Sequence, residues 1–353
     1  MGLYHRCFRK IATDPAVSCK SARFNHCTRP TGFTVDPFVL PHRTRTTLMN
    51  ALLYTLTVLI WGTTWLAIKW QLGVVAPPVS IAYRFAIAAV VLFGLQLLMR
   101  RRIWPPRAAW PYLFAQGFAL FCCNFLCFYY AEQTVPSGMV AVIFSLAPIL
   151  NSVNGRLFLG RALQPAVVLG SLVGLAGILC LFVPELAHAL PGQGGSLAGL
   201  LVALLGTLCF STGSLLSSRM QAIGLHPLQT NSWAMLIGAA VLALGSLVAG
   251  LSFVPEPSVR YVGALLYLAI PGSVIGFTAY LMLVGRIGPE RAAYCTVLFP
   301  IVALTVSTVF EGYHWTWIAA AGIVLILLGN VIAFSGNARS RSQVRAPSSR
   351  AHG

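Results

Sequence analysis

AVIFSLAPILNSVNGRLFLG, residues 141–160, and AYCTVLFPIVALTVSTVFEG, residues 293–312, decide the fold when one is laid over the other. In that register, an offset of 152 positions, Ala141 falls on Ala293, Leu146 on Leu298, Pro148 with Ile149 on Pro300 with Ile301, Phe158 on Phe310 and Gly160 on Gly312. The same offset pairs Phe125 with Phe277 upstream, and Gly170 with Gly322, Leu175 with Leu327, Gly177 with Gly329 and Phe182 with Phe334 downstream. Leucine matches carry little weight in an apolar chain. Matched Pro and Gly carry more, because proline interrupts the helical hydrogen-bond ladder and glycine lets helices approach closely. The chain therefore reads as an internal repeat.

Around these stretches the composition is that of a membrane protein. Hydrophobic residues make up 57% of the 353 positions and charged residues 9%, with a mean hydropathy of +0.79, against roughly 25% charged in soluble domains. A bilayer core needs about 20 mainly apolar residues per helix, and ten such windows occur, at approximately 48–69, 79–99, 110–131, 138–157, 165–183, 196–217, 229–251, 260–283, 292–310 and 315–335. Turn chemistry separates several of them: Ala76-Pro77-Pro78, Trp104-Pro105-Pro106, Pro191-Gly192-Gln193-Gly194-Gly195 and Pro255-Glu256-Pro257. The expected fold class is an all-α integral membrane protein of ten transmembrane helices.

The formal charge of +17 belongs to the loops. With a cytoplasmic N-terminus, the inside loops and tail hold Arg100, Arg101, Arg102, Arg107, Arg156, Arg161, Arg219, Arg286, Arg291, Arg339, Arg341, Arg345 and Arg350, and the outside loops only Lys69 and Arg260. Glu132, Glu185, Glu256 and Glu311 all fall outside. This is the positive-inside pattern, and it places both termini in the cytoplasm. The basic residues form no clustered face of the kind that binds nucleic acid. The nine cysteines offer neither a disulfide framework nor a metal-ligand spacing; Cys122, Cys123 and Cys127 read as small apolar packing.

The first 47 residues differ from the rest, with eight Lys or Arg, two Asp and three Cys, no sustained periodicity and no signal-peptide core. They read as an unfolded basic extension. Met49 opens MNALLYTLTVLIWGTTW, an ordinary N-terminus ahead of a first helix, which favours a start codon placed too early over a targeting leader. The domains are thus an extension over 1–47, a first five-helix repeat over 48–184, a second over 196–335, and a basic tail over 336–353. Five helices per half is an odd number, so equivalent helices cross the membrane in opposite directions. Inverted repeats of this kind hold a solute site near the midplane between them and permit alternating access.

The chain resembles the drug/metabolite transporter superfamily, in particular its EamA-like ten-helix members, over about residues 49–336. The likeness rests on LIWGTTWLAIK at 59–69, PPVSIAYRF at 77–85, AEQTVPSGMVAVIFSLAPILNSVNGRLFLG from Ala131 to Gly160, and RIGPERAAYCTVLFPIVAL from Arg286 to Leu304. It implies a plasma-membrane carrier, in bacteria an inner-membrane one, often an exporter of amino acids or other metabolites, built as two inverted halves of five helices. Many relatives carry Gly-Glu after the fourth helix, whereas this chain has Gly160-Arg161, and Glu311 precedes Gly312 in the second copy. Both sites lie at membrane edges and bear on loop contacts rather than on the solute.

Candidate solute-binding residues come from polar and aromatic groups inside the windows. Arg84 lies five residues past Val79, about 8 Å into the membrane. A charge there usually meets a partner or a wet cavity; the alternatives are an anionic group of the solute, snorkelling to the outer interface, or a structural bond to carbonyls. Trp61 and Trp65 share a helical face mid-segment beside Thr64, and suit either a cavity wall or helix packing. Asn124, Tyr129, Ser145, Asn151, Thr278 and Tyr294 complete the set. Membrane Ser and Thr commonly bond their own helix, while an amide is harder to satisfy locally, which favours Asn124 and Asn151. Pro148 and Pro300 free backbone carbonyls and mark candidate gates or helix breaks, and the Gly170, Gly174 and Gly177 run reads as a packing face.

There is no P-loop, no catalytic constellation such as HExxH, GxSxG or paired midplane acids, and no Asp or Glu deep in a helix window to relay protons. Catalytic residues, cofactors and metals are accordingly expected to be none. The reading is a secondary transporter, an exporter of a small amino-acid-like or drug-like metabolite by facilitated diffusion or exchange. Its expected partners are the small-molecule substrate and the lipid bilayer, with the chain a monomer or homodimer. Two alternatives stand beside it: a sugar-phosphate or nucleotide-sugar carrier, which needs several buried cations, and a non-transporting membrane scaffold.

Overall fold

A computed structural model describes residues 42–73, 75–160, 165–188, 195–310, 312 and 315–344. Residues 1–41, Arg161, the turn at 191–194, Glu311 and the tail beyond 344 lie outside the described residues. The chain divides into two units, Met1–Thr44 and Arg45–Gly353, and apart from the first turn of one helix everything below concerns the second.

Among the described residues every regular element is helical. The helices are α1 (His42–Gln71), α2 (Pro77–Leu98), α3 (Arg107–Ala131), α4 in two pieces (Ser137–Phe144 and Ala147–Leu159), α5 (Pro165–His188), α6 (Gly195–Ala222), α7 (Pro227–Val248), α8 (Val259–Ile287), α9 (Pro289–Phe310) and α10 (Trp317–Val344). Proline sets several starts, since its fixed φ and missing N–H suit the first helical turn: Pro77 and Pro78 open α2, Pro227 opens α7 and Pro289 opens α9. Three helix starts among the described residues carry side-chain caps, one of them Thr316 ahead of α10, whose Oγ1 accepts from the Ala319 N–H at 3.1 Å. His226 Nδ1 accepts from the Leu228 N–H at 3.2 Å, and Ser258 Oγ from the Tyr261 N–H at 3.2 Å.

The helices overrun their sequence windows at both ends of the chain. α1 starts at His42 rather than near 48, because nothing after Pro41 breaks a helix, and α10 continues to Val344 because no proline intervenes before Pro347. In the last three helices of each half the starts keep the repeat register. Arg107, Ser137 and Pro165 begin α3, α4 and α5, and Val259, Pro289 and Trp317, each 152 positions on, begin α8, α9 and α10. Backbone irregularities follow the same spacing. A π-helical stretch interrupts α3 at Gly117–Cys123 and another interrupts α8 at Leu268–Phe277, with Pro271 inside it. α4 bends by 41° ahead of Pro148, and a 3-10 turn over Ala293–Leu298 precedes Pro300 in α9.

Helices and their counterparts pack on each other: α2 on α7, α4 on α9 and α5 on α10. In the last pair the approach is as close as backbones allow. A Cβ built on Gly177 would stand 2.5 Å from the Gly322 carbonyl oxygen, and one on Gly329 would stand 2.5 Å from that of Gly170, so the four glycines of the matched set face one another reciprocally.

Seven helices among the described residues are long and apolar enough to cross a membrane, and the bent α4 makes an eighth if its pieces form one span. The apolar parts of α5 and α10 are shorter, at Val168–Gly177 and Trp317–Ile332. Large apolar side chains cover the outside of the bundle: Val90 is 69% exposed and Leu244 64%, with Leu52, Leu59, Leu175 and Val309 similarly bare. An apolar skin of this extent belongs in lipid rather than water. Of the two cations that broke the charge alternation, Lys69 donates to the Glu132 carbonyl oxygen at 2.6 Å, and Arg260 lies over the Trp70 ring at 5.4 Å.

Candidate functional site

The part of α3 that follows its π-helical stretch, the last residue of the π-helical stretch of α8, the middle of α1 and the end of the first piece of α4 converge, with one residue each from α2 and α6, on one small cavity of about 30 Å³. Trp61, Thr64 and Trp65 line it from α1, Arg84 from α2 and Asn124 from α3. The rest of the wall is mostly a phenylalanine cage, Phe125, Phe128, Phe144, Phe210 and Phe277. Phe125 and Phe277 are counterparts in the repeat, and their ring centroids lie 5.8 Å apart. Trp61 stands 4.5 Å from Phe277, Trp65 5.3 Å from Phe128, and Phe144 4.6 Å from Phe210. These tilted and edge-on contacts are the geometry aromatic pairs prefer.

The polar groups in this cage are partly committed. Trp61 Nε1 donates to the Gly272 carbonyl oxygen at 3.0 Å, inside the π-helical stretch of α8. Thr64 Oγ1 returns to its own helix at the Trp61 carbonyl, 2.8 Å away. Asn124 Nδ2 donates to the Gly206 carbonyl at 2.8 Å, and Arg84 Nε to Ser273 Oγ at 2.9 Å. Ser273 passes the contact on to the Leu268 carbonyl, five residues back, in the π register. The Arg84 guanidinium lies 4.5 Å from the Phe125 ring centroid and 5.3 Å from that of Phe85, within cation–π range. At 2% exposure it is enclosed by the bundle and does not reach the outer interface. Three buried polar atoms on the lining residues have no hydrogen-bond partner: Arg84 Nη1, Trp65 Nε1 and Asn124 Oδ1. Buried atoms left open are rare in folded proteins and mark where a ligand or water belongs.

The remaining candidates sit elsewhere. Tyr129 belongs to the end of the bundle where α1 and α3 finish, donating its hydroxyl to Gln71 Oε1 at 2.5 Å. Bonds between Ser80 and Tyr261 at 2.8 Å and from Tyr83 to the Phe253 carbonyl tie α2 to α8 and the segment before it, and one between Thr63 and Tyr267 at 2.6 Å ties the middle of α1 to α8. Asn151 lies toward the opposite end, where its Nδ2 donates to the Pro289 carbonyl at 3.0 Å. Ser145 bonds the Val142 carbonyl of its own helix. Thr278 keeps a buried hydroxyl on α8, and Tyr294 is half-buried on α9. None of these five lines the cavity. Pro148 and Pro300 both follow a break in a helix that otherwise crosses the bundle. The Asn151 end also holds two vestibules, of about 460 Å³ and 360 Å³, which share Gly224, Leu225 and His226 in their walls.

Two features escape a reading of the windows. The phenylalanine cage is one; its signals are the spacing of Phe121, Phe125 and Phe128 on one helical face and the Phe125–Phe277 match. The other is Glu132. Assigned to an outside loop by its neighbours, it is wholly buried and caps α3, its N–H bonded to the Phe128 carbonyl.

Helices of this length and apolarity, enclosing a polar-edged aromatic cavity, define a polytopic membrane protein. The model of the EamA-like transporter family matches residues 48–183 and 197–335, so the chain belongs to that family and is a membrane transport protein. Similar curated proteins include the uncharacterized inner membrane transporter YedA of Escherichia coli, 29% identical over 291 residues that cover 78% of this chain and 89% of the relative. Protein PagO of Salmonella typhimurium is 22% identical, covering 79% of this chain and 90% of the relative. An uncharacterized transporter of Archaeoglobus fulgidus is 24% identical, covering 78% and 94%. A protein of known crystal structure superimposes with a TM-score of 0.60 at 21% identity, covering 86% of this chain and 99% of the other, and shares its fold.

Proposed function

We propose that the chain is a secondary carrier that exports a small organic metabolite, amino-acid-like or drug-like, by alternating access through the aromatic cavity. The observation that carries this reading is the meeting of Phe125 and Phe277, residues 152 apart, across one cavity that also holds Arg84, Trp65 and Asn124 with open polar atoms. Counterpart residues can face each other only near a symmetry axis, and an axis between inverted halves is where carriers of this design bind solute. On this reading the helices are ten spans, 48–184 and 196–335 are the inverted halves, and the protein sits in the bacterial inner membrane with both termini cytoplasmic. The vestibules then open to the cytoplasm and the Gln71 end is the closed outward gate. The cavity has room for about one or two waters, so a solute enters only when one half rocks against the other.

A phosphate-bearing substrate fits less well. Arg84 is the one Lys or Arg among the cavity-lining residues, and a phosphate dianion calls for several donors of that kind. Metabolite profiling inside and outside cells that lack or overproduce the protein tests the carrier. Overproduction is expected to move one solute or a small group outward, deletion to retain it, and Trp61→Ala with normal protein levels to abolish the effect. Unchanged metabolite distributions in both strains would leave the scaffold reading in its place.

A further inference from the structure

The vestibule of about 360 Å³ lies where the segment after α2 meets the turn between α6 and α7. Arg101, Arg102 and Trp104 stand in its wall with Gln96 of α2, opposite His226 and Gln229, and no acidic residue lines it. The arginine segment is pinned to α7. The Ile103 carbonyl accepts from Gln229 Nε2 at 3.2 Å and from Trp233 Nε1 at 2.9 Å, and Trp104 lies against the Trp233 ring at 5.0 Å. Gln96 is buried, and its Nε2 donates to Ser232 Oγ and to the Leu92 carbonyl, while its Oε1 has no partner. His226 Nδ1 accepts from the Leu228 N–H, which leaves the ring proton on Nε2 as a further donor.

The turn itself does not require the arginines. α2 and α7 end alike: the Arg101 N–H returns to the Gln96 carbonyl and the Leu251 N–H to the Ser246 carbonyl, each at 2.9 Å. Between them stand Arg100 at φ 52° and Gly250 at φ 67°. α7 is followed by Gly250, Leu251 and Ser252, whereas α2 is followed by three arginines, the first in a conformation that favours glycine. Leu97, Leu98 and Met99, just before them, are exposed and apolar, as a lipid-facing surface is. Exposed Trp104 marks the headgroup level of the bilayer.

We propose that this vestibule binds the headgroup of an anionic phospholipid that carries hydroxyls, of the phosphatidylglycerol type, from the leaflet at the arginine end. The phosphodiester accepts from Arg101 and Arg102, as anionic headgroups do in basic pockets between membrane helices, and a headgroup hydroxyl donates to Gln96 Oε1. An ammonium headgroup could satisfy Gln96 as well, but it would stand beside two arginines with no acid in the wall. The volume falls in the range of small-ligand sites, about 300–1,000 Å³, and the acyl chains lie outside it along Leu97 and Leu98. Arg101 and Arg102 belong to the first family match and His226 and Gln229 to the second, so the lipid joins the two. The proposal is independent of the central cavity and of the solute carried.

Native mass spectrometry of the purified full chain in a neutral detergent, titrated with phosphatidylglycerol, phosphatidylethanolamine, phosphatidylcholine and phosphatidylmethanol, tests this. Phosphatidylglycerol is expected to bind at least about fivefold tighter than either zwitterionic lipid. It should also bind about fivefold tighter than phosphatidylmethanol, which has the same phosphodiester without hydroxyls. Arg101→Gln with Arg102→Gln removes the preference over the zwitterionic lipids, and both side chains are exposed, so the fold does not rest on them. Arg156→Gln with Arg219→Gln, the same loss of charge at exposed positions elsewhere, keeps it. Equal binding of all four lipids, or an equal loss in both double variants, overturns the proposal; the second result leaves only the general attraction of a basic surface. Parity with phosphatidylmethanol overturns the bond to Gln96. Soluble glycerol 3-phosphate that displaces phosphatidylglycerol at equal concentration would make this a site for free phosphate esters and overturn the lipid.

Discussion

Trp61 holds two roles at once, a wall of the cavity and a bond to the Gly272 carbonyl. Trp61→Phe keeps the aromatic wall and removes the bond, so thermal unfolding in detergent is expected to show a loss of about 1 kcal/mol, the usual net worth of one such hydrogen bond; an unchanged midpoint would contradict the bond. At the vestibules, His226 caps α7 only while its Nδ1 is free to accept. Burial, with Arg101 adding a positive neighbour, holds its imidazole below the ordinary value of 6.5. The folded protein therefore binds fewer protons there than the unfolded chain. The cap's contribution is complete above about pH 6.5 and is lost as the pH falls through the lower folded value. Unfolding midpoints measured against pH should decline on the acid side, and His226→Asn, which caps without titrating, should flatten that decline. Arg84, Trp61, Thr64, Trp65 and Asn124 are legible from sequence because a charge, an amide or a paired indole stands out in an apolar window. Glu132 is not, because α1 and α6 close over the end of α3, with Lys69 on the Glu132 carbonyl and Gly199 against Ala131 and Thr134, which no local pattern records.

Among the elements, the proline breaks are legible and the π-helical stretches are only half so. Pro148 and Pro300 announce interruptions through their missing N–H, and Pro271 does the same for α8. Gly117–Cys123 has no proline, and its extra residue per turn is a product of packing against α7, where a Cβ on Gly117 would stand 2.7 Å from the Ala234 carbonyl oxygen. The glycine face of α5 is read correctly as packing, although its partner on α10 emerges only from the structure. Gly177→Leu should force the α5–α10 pair apart at a cost of about 1–3 kcal/mol, seen as a lower melting temperature in fluorescence-detected size-exclusion runs. The reciprocal Gly329→Leu should match it, and a stable Gly177→Leu protein would contradict the close approach.

For the whole molecule, window length and charge alternation reach the membrane class and most helix limits, and the offset of 152 reaches the repeat, while the packing of α2 on α7, α4 on α9 and α5 on α10 emerges from the structure. The sequence does not foretell how nearly closed the centre is, because the cavity wall assembles from six helices at once. The account depends most on the two halves being inverted. Thr134 and Arg286 occupy counterpart positions 152 apart, both exposed at helix ends. With Thr134→Cys and Arg286→Cys made separately in intact cells, labelling by a membrane-impermeant maleimide above that of the parent protein gives the orientation of each. The account predicts that Thr134→Cys labels from outside and Arg286→Cys only after the membrane is opened; labelling of both from the same side would contradict it.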